Sequence, residues 1–249
     1  MAIPTPQRRA EIARLLAREG AVQVADLAVR YGVSEPTIRR DLEWLEKEGL
    51  AQRVRGGALV VSPHGSPAPD LNPIACRIGQ AAVSFIRDEE TVFLGPGELT
   101  LEAARALRDR HHLTVITNSL TIAAEIAEHT PHTLILTGGQ LNRTEGGLEG
   151  HLVQIALREL RADWILVELS GINAAEGLTD DSLAHAELCR ALLGRGGQVV
   201  ILIEPERVGR VAAAYIAPAT EADVLVTARE ADSAPLWDLA ESGIRILLA

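Results

Sequence analysis

Apolar positions in the first part of the chain recur at helical spacing in three short runs separated by turn residues. Ile12, Leu15 and Leu16 mark one face of a helix opened by Thr5-Pro6 and ending near Gly20, and Leu27 and Ala28 mark the inward face of a second over residues 24–31. The tight turn Gly32-Val33-Ser34 leads into a third helix within residues 33–50. There Ser34 is a good N-cap, Pro36 sits in the first turn, where its missing N–H costs nothing, and Gly49 marks the stop. Ile38, Leu42 and Leu45 recur at i, i+4 and i+7, so one stripe must pack. The opposite face carries Pro36, Arg40, Glu43 and Lys47, with Thr37 and Arg39 on its flanks. The pattern then changes to strand-like in Gln52-Arg53-Val54-Arg55 and Ala58-Leu59-Val60-Val61, which flank Gly56-Gly57, a two-residue hairpin signal.

Residues 62–73 hold four prolines and almost nothing apolar and read as a semi-rigid linker, dividing a head of residues 1–61 from a body of residues 74–249. In the body, helical patterns at 74–87, 101–110, 121–129, 148–160 and 184–193 alternate with strand-like runs at 91–94, 113–117, 133–137, 164–169 and 199–203. Two further runs follow at 224–227 and 244–248. The runs are continuously apolar, as in strands buried on both faces, so the predicted fold class is α/β with an open, mainly parallel sheet behind a helix-turn-helix head. Ligands of such sheets bind outside the carboxyl ends of the strands.

Charge changes the picture only when it is divided. The formal net charge of −10 argues against a nucleic-acid binder, yet residues 1–61 carry ten Arg or Lys against eight Asp or Glu, leaving −12 for the rest. An acidic body with a mildly basic head confines phosphate binding to the head. Cys76 and Cys189 lie far apart in helical patterns without metal-ligand spacing, so neither a disulfide, a metal site nor a cofactor is expected. No signal-peptide pattern precedes Pro4, and no apolar run reaches the roughly 18 residues of a membrane span, so a cytoplasmic protein without membrane partners is expected.

Helix, short helix, glycine turn and Arg-bearing helix, in that order, form a helix-turn-helix. Ser34, Glu35, Pro36, Thr37, Arg39, Arg40 and Lys47 are the candidates for the major groove and its phosphates, and Arg53, Arg55, Gly56 and Gly57 form a wing. In the body, the loops after the first three strands hold Gly95, Gly97, Glu98 and Thr100, then Asn118-Ser119, then Gly138-Gly139. Amides at glycine turns and helix N-termini attract anions, so together these loops can cradle a phosphate. Singly, Asn118-Ser119 reads better as a helix cap and Gly138-Gly139 as a turn.

Gly32-Val33-Ser34, Thr37-Ile38-Arg39-Arg40-Asp41-Leu42, Leu45-Glu46, Gly49-Leu50 and Gly56-Gly57-Ala58 resemble the DNA-binding domain of the deoxyribose-operon repressor (DeoR) family. Val115-Ile116-Thr117-Asn118-Ser119, Leu136-Thr137-Gly138-Gly139, Ser170-Gly171-Ile172, Gly177-Leu178-Thr179 and Glu187 resemble its effector domain. The resemblance implies a body related to ribose-phosphate isomerases and coenzyme A transferases, and a sugar phosphate as inducer of a transcriptional repressor. It also nominates Glu187 and Arg207 for the effector site. The chain departs from the family after the first strand. An Asp, then Gly and a hydroxyl pair, are replaced by Gly95, Gly97 and Glu98-Leu99, leaving a hydroxyl only at Thr100. Where the family carries Asp and, three residues on, Lys, this chain has Glu204 and Arg207. A carboxylate at Glu98 would repel a phosphate, so the effector is expected to be uncharged, differently placed or absent. The rival readings are a body that only oligomerises the head and an isomerase-like enzyme using Glu187, Glu204 and Arg207. The expected partners are double-stranded operator DNA, a small-molecule effector and further copies of the chain, at least as a dimer, because so small a head makes few contacts alone.

Overall fold

The computed structural model describes residues 5–19, 21–47, 51–54, 56–60, 72–144, 146–194 and 196–249. It divides into two compact units, residues 1–71 and 72–249. The expected stops at Gly20 and Gly49, the wing residue Arg55, and Val61 with residues 62–71 of the linker lie outside the described residues.

The first unit is built from helix α1 (Thr5–Glu19), strand β1 (Ala21–Gln23), helices α2 (Val24–Tyr31) and α3 (Glu35–Lys47), and strands β2 (Ala51–Val54) and β3 (Gly57–Val60). Its core joins Ile12 and Leu16 of α1, Leu27 and Tyr31 of α2, and the Ile38, Leu42 and Leu45 stripe of α3. Helix α2 ends because Gly32 adopts the left-handed conformation (φ 62°), from which its amide closes onto the carbonyls of Ala28 and Val29. The sheet order is β1-β3-β2, and the short β1 has no counterpart in the sequence pattern. The hairpin corrects the expected turn by one residue. Val54 pairs with Gly57, so Gly57 lies inside β3, opposite Gln23 on its other side, and only Gly56 of the two glycines is left to the turn. Gly56 supplies the positive φ (95°), whereas Gly57 supplies absence, since a Cβ there would stand 2.1 Å from the Val22 carbonyl oxygen.

The second unit begins when Asn72 caps helix α4 (Pro73–Ala82) by accepting from the amides of Ile74 and Ala75. Pro73, grouped with the linker on composition, is therefore the first helical residue. Strand β4 (Thr91–Leu94), helix α5 (Glu98–Ala106), β5 (Thr114–Thr117), α6 (Leu120–His129) and β6 (Thr133–Leu136) follow in alternation. A small hairpin, β7 (Gln140–Leu141) with β8 (Leu148–Glu149), precedes α7 (His151–Glu159). Next come β9 (Trp164–Glu168), β10 (Gly171–Asn173), β11 (Gly177–Asp180), α8 (Leu183–Leu192), β12 (Gln198–Leu202), β13 (Ala214–Ala217), β14 (Val224–Thr227), α9 (Ser233–Glu241) and β15 (Arg245–Leu248).

Seven strands form one wholly parallel sheet in the order β15-β14-β12-β9-β4-β5-β6. Alternate residues feed two cores. Val92, Leu94, Leu166, Val200 and Leu202 meet α4, α5 and α6 on one face. Phe93, Ile165, Val167, Val199 and Ile201 meet α7, α8 and α9 on the other. The strand order reverses between β4 and β9, which opens a crevice at their carboxyl ends.

Two expected helix starts are corrected. Residues 148–149 form β8, and the helix expected to include them starts after Gly150, which turns the chain with φ 94°. Helix α5 starts at Glu98, three residues early, which brings its N-terminus to the crevice. Helix α9 and the antiparallel sheet β10-β11-β13 were not signalled by the periodicity. Among the described residues no helix is long and apolar enough to cross a membrane.

Candidate nucleic-acid interface and effector crevice

Helix α3 is held at its inner face by charge as well as by leucines. Asp41, 1% exposed, accepts from Arg8 Nε at 2.7 Å and Arg9 Nε at 2.9 Å on α1, and the Arg9 guanidinium lies 4.8 Å from the centre of the Trp44 ring. Buried carboxylates persist when they are paired and fully hydrogen-bonded, so this bridge sets the roll of α3 against α1. The pattern had placed Asp41 only in a motif. Its position beside Leu42 on the packed stripe, with Arg8-Arg9 available on a neighbouring helix, is the signal that could have revealed it.

The outer face divides its cations into two classes. Arg39 is paired with Glu35 one turn back (3.0 Å), and Arg53 of β2 is paired with Glu43 (2.9 Å) while its amide donates to Glu46 (3.0 Å). Those bonds tie the wing to α3. Arg40 is exposed and makes no ion pair among the described residues, and Lys47 and Pro36 are exposed too. The hydroxyls of Ser34 and Thr37 bond each other at 2.9 Å at the start of the helix. Gly56 is exposed at the hairpin turn and Gly57 is buried in β3.

In the crevice, the polar groups nominated from sequence are largely committed to the protein. Gly95 is buried, its amide bonded to the Leu166 carbonyl. Thr100 is fully buried and donates its hydroxyl to the Gly97 carbonyl (3.1 Å). Asn118 donates Nδ2 to the Leu148 carbonyl (2.9 Å) while its buried Oδ1 has no partner among the described residues, and Ser119 caps α6 through the Ile122 amide. Gly138 and Gly139 have φ of 75° and 129°, and Gly139 fits tightly against the Glu149 carbonyl, where a Cβ would come within 2.8 Å. Arg207 is paired with Glu204 at 2.9 Å. Glu98 is exposed at the first turn of α5.

The carboxylate seated on the amide cradle comes from the end of a strand and not from the loop that forms the cradle. Glu168, the last residue of β9, reaches across the β4–β9 crevice and accepts the Leu99 amide at 2.8 Å. Its Oε2 would be 2.3 Å from a Cβ at position 97, so only glycine there admits it. Its pKa is raised to about 7, chiefly by burial, with Glu204 and Glu98 adding to the rise and the Leu99 amide and Arg207 opposing it.

Next to Gly139, which packs on Glu149 and Val153, β7, α7 and α8 enclose a cleft of about 240 Å³ lined by Gln140, Glu149, Gly150, Val153, Gln154, Ala184, Glu187 and Leu188. Glu187, expected at the effector site, therefore lies on this cleft. On the other side of α8, Asp180 accepts from His185 Nδ1 (3.2 Å), the Ser170 amide and hydroxyl, and the Ser182 amide. Burial alone would raise the Asp180 pKa, but the His185 bond and charge hold it below the ordinary value. Burial opposes the charge on His185, but Cys189 and Asp180 raise its pKa well above 6.5. Cys189 Sγ lies 3.7 Å from His185 Nε2, an order of groups that resembles a nucleophile and its base. Cys189 is 2% exposed among Ile165, Val167, Leu169 and Ile201, however, with no room for a reactant. Among the described residues no group of three or more His, Cys, Asp or Glu is placed to hold a metal ion.

The sequence matches the DeoR-like helix-turn-helix domain over residues 8–64 and the DeoR C terminal sensor domain over residues 76–229. It is 28% identical to the HTH-type transcriptional regulator GolR of Listeria innocua serovar 6a, across 98% of each protein. It is 26% identical to the glycerol-3-phosphate regulon repressor of Escherichia coli K12, across 89% of this chain and 90% of that protein. Among solved structures it is similar to ribose 5-phosphate isomerase from Plasmodium falciparum, with 12% identity and a TM-score of 0.40 over 55% of this chain and 53% of that one.

Proposed function

The chain belongs to the DeoR family of DNA-binding transcription regulators, and from that premise we propose that it represses a metabolic operon until a small molecule bound at the body's strand-end crevice releases it. The observation that carries the reading is α3 itself. Asp41 pins its inner face to α1, so that Arg40, exposed and without an ion pair among the described residues, is presented outwards from the second turn. An arginine held this way can make the bidentate contact by which guanine is read in the major groove. Glu35, Pro36, Ser34, Thr37, Arg39 and Lys47 surround it, and Arg53 with the Gly56 turn reaches the flanking backbone.

The relatives named above include a regulator of a regulon named for a metabolite, which supports control of the same kind here. A head this small supports a protein working as at least a dimer on repeated half-sites. The same reading makes the body a sensor without catalysis, supported by the pairing of Glu204 with Arg207 and by the backbone bonds that hold Thr100 and Ser119.

Unbiased selection of genomic fragments by the purified protein tests the proposal. Enrichment of fragments sharing a repeated motif upstream of catabolic genes is the expected result, and recovery no better than bulk DNA would refute it. Incubation with pentose and hexose phosphates should give no interconversion. Turnover that disappears in Glu187→Gln or Glu204→Gln would overturn the sensor reading.

A further inference from the structure

We propose that Glu168 is the specificity-determining residue of the effector crevice: its carboxylate occupies the anion cradle, so the site rejects phosphate esters and takes an uncharged polyhydroxylated ligand. The inference rests on the crevice being the effector site and goes further by naming the ligand class.

Two separate observations carry it. The first is occupancy. In an open α/β sheet the amides at the start of a helix behind the switch point are the place for an anion. Here that place is α5, and the Leu99 amide is already bonded to Glu168 Oε2 at 2.8 Å. The contact with Gly97 is too close for any side chain at that position, so the carboxylate is packed into the cradle rather than hanging beside it. Glu98 adds a second negative group on the same turn. Arg207, the cation nearest this end of β12, is taken by Glu204 at 2.9 Å. A phosphate ester entering this crevice must displace a resident anion, and Arg207 is already paired.

The second observation is the cleft of about 240 Å³ between β7, α7 and α8, whose Glu149 and Val153 pack against Gly139 of the third strand-end loop. Its polar lining consists of two amides, Gln140 and Gln154, and two carboxylates, Glu149 and Glu187. Amides donate and accept, whereas carboxylates only accept, so the lining suits a ligand with many hydroxyl donors and no negative charge.

The test compares the full-length parent with Glu168→Ser and Glu168→Gln by calorimetry at pH 8, using inorganic phosphate and matched pairs of sugar alcohols and their phosphate monoesters. The serine variant empties the cradle. The glutamine variant refills it with a neutral group of the same shape, and a cooperative melt of the body shows that each protein is folded. The parent should bind a neutral member and not its phosphate. Glu168→Ser should gain affinity for phosphate and the esters on the order of a hundredfold, as expected for removing a like charge a few ångströms away. Glu168→Gln should gain less than Glu168→Ser, because it leaves the amide occupied. Tight phosphate-ester binding by the parent, unchanged in Glu168→Ser, overturns the proposal, as does a serine variant that gains no phosphate. Phosphate gained by Glu168→Ser, with no member of the panel altering operator binding by the parent, upholds the cradle assignment and overturns the effector reading beneath it.

Discussion

Glu35 and Glu43 hold Arg39 and Arg53 at the surface of the head, where water and a phosphate backbone can compete for them, whereas Glu168 in the body turns inwards onto the Leu99 amide. The head spends its carboxylates on keeping cations ordered until DNA arrives, and exposed pairs of this kind contribute about 0–1 kcal/mol, so they are readily exchanged. The body uses a partly buried carboxylate as a substitute ligand, and its exchange is costly because the group is desolvated and packed on Gly97. The contrast teaches that the same residue type stands exposed beside an arginine in one unit and folds onto a backbone amide in the other. Burial and the neighbouring donor decide which.

Four measurements can break or sharpen that contrast. The largest effect is expected where the head departs from its own pattern by burying a carboxylate. Asp41→Ala leaves Arg8 and Arg9 without their shared acceptor at the core, and should cost the head about 3–5 kcal/mol in chemical denaturation and abolish operator binding. A loss below about 1 kcal/mol would show that the bridge does not position α3.

Arg40→Ala should lower affinity by about 1–3 kcal/mol and relax discrimination at one operator position, read by competition among single-base variants. Equal loss on all sequences would assign Arg40 to a phosphate.

Glu168→Gln should stabilise the body by about 1–2 kcal/mol at pH 8, less than the full shift implies because the side chain is partly exposed. The pKa of Glu168 in the fold, about 7, lies above its ordinary 4.5, so the fold binds the proton more tightly than the unfolded chain. The penalty is therefore absent below 4.5, grows as pH rises and is complete above 7. Melting curves of parent and variant should converge by pH 4, and a gap independent of pH would show that charge is not its cause.

The smallest effect is expected from Glu35→Gln, which releases Arg39. Stability should change by less than about 0.5 kcal/mol, while the salt dependence of DNA binding steepens by up to about one unit as Arg39 finds a phosphate. An unchanged slope would mean that Arg39 stays off the DNA.

Helix α3 was legible in the sequence because its packed and its exposed positions lie on opposite faces of one continuous element. Ile38, Leu42 and Leu45 define the inward stripe by spacing alone, and the positions they leave, Arg39 and Arg40 among them, must face out. The parallel sheet was legible for a similar reason, since strands covered on both faces read as unbroken apolar runs such as Ile165-Leu166-Val167. The one-residue shift of the hairpin was not, because Gly56 and Gly57 look alike in sequence. Only β1, with the Val22 carbonyl lying against Gly57, assigns one to the turn and the other to the strand.

The crevice depended on tertiary structure throughout. Glu98 carried the expected carboxylate by position in its loop, but it is exposed, and the group seated at the amide comes from Glu168, seventy residues further along the chain. Strand order brings β9 beside β4, and no local pattern encodes which strands become neighbours. Periodicity reports which face of an element is buried. It cannot report which distant side chain meets a given amide, because that pairing is set by how whole elements pack.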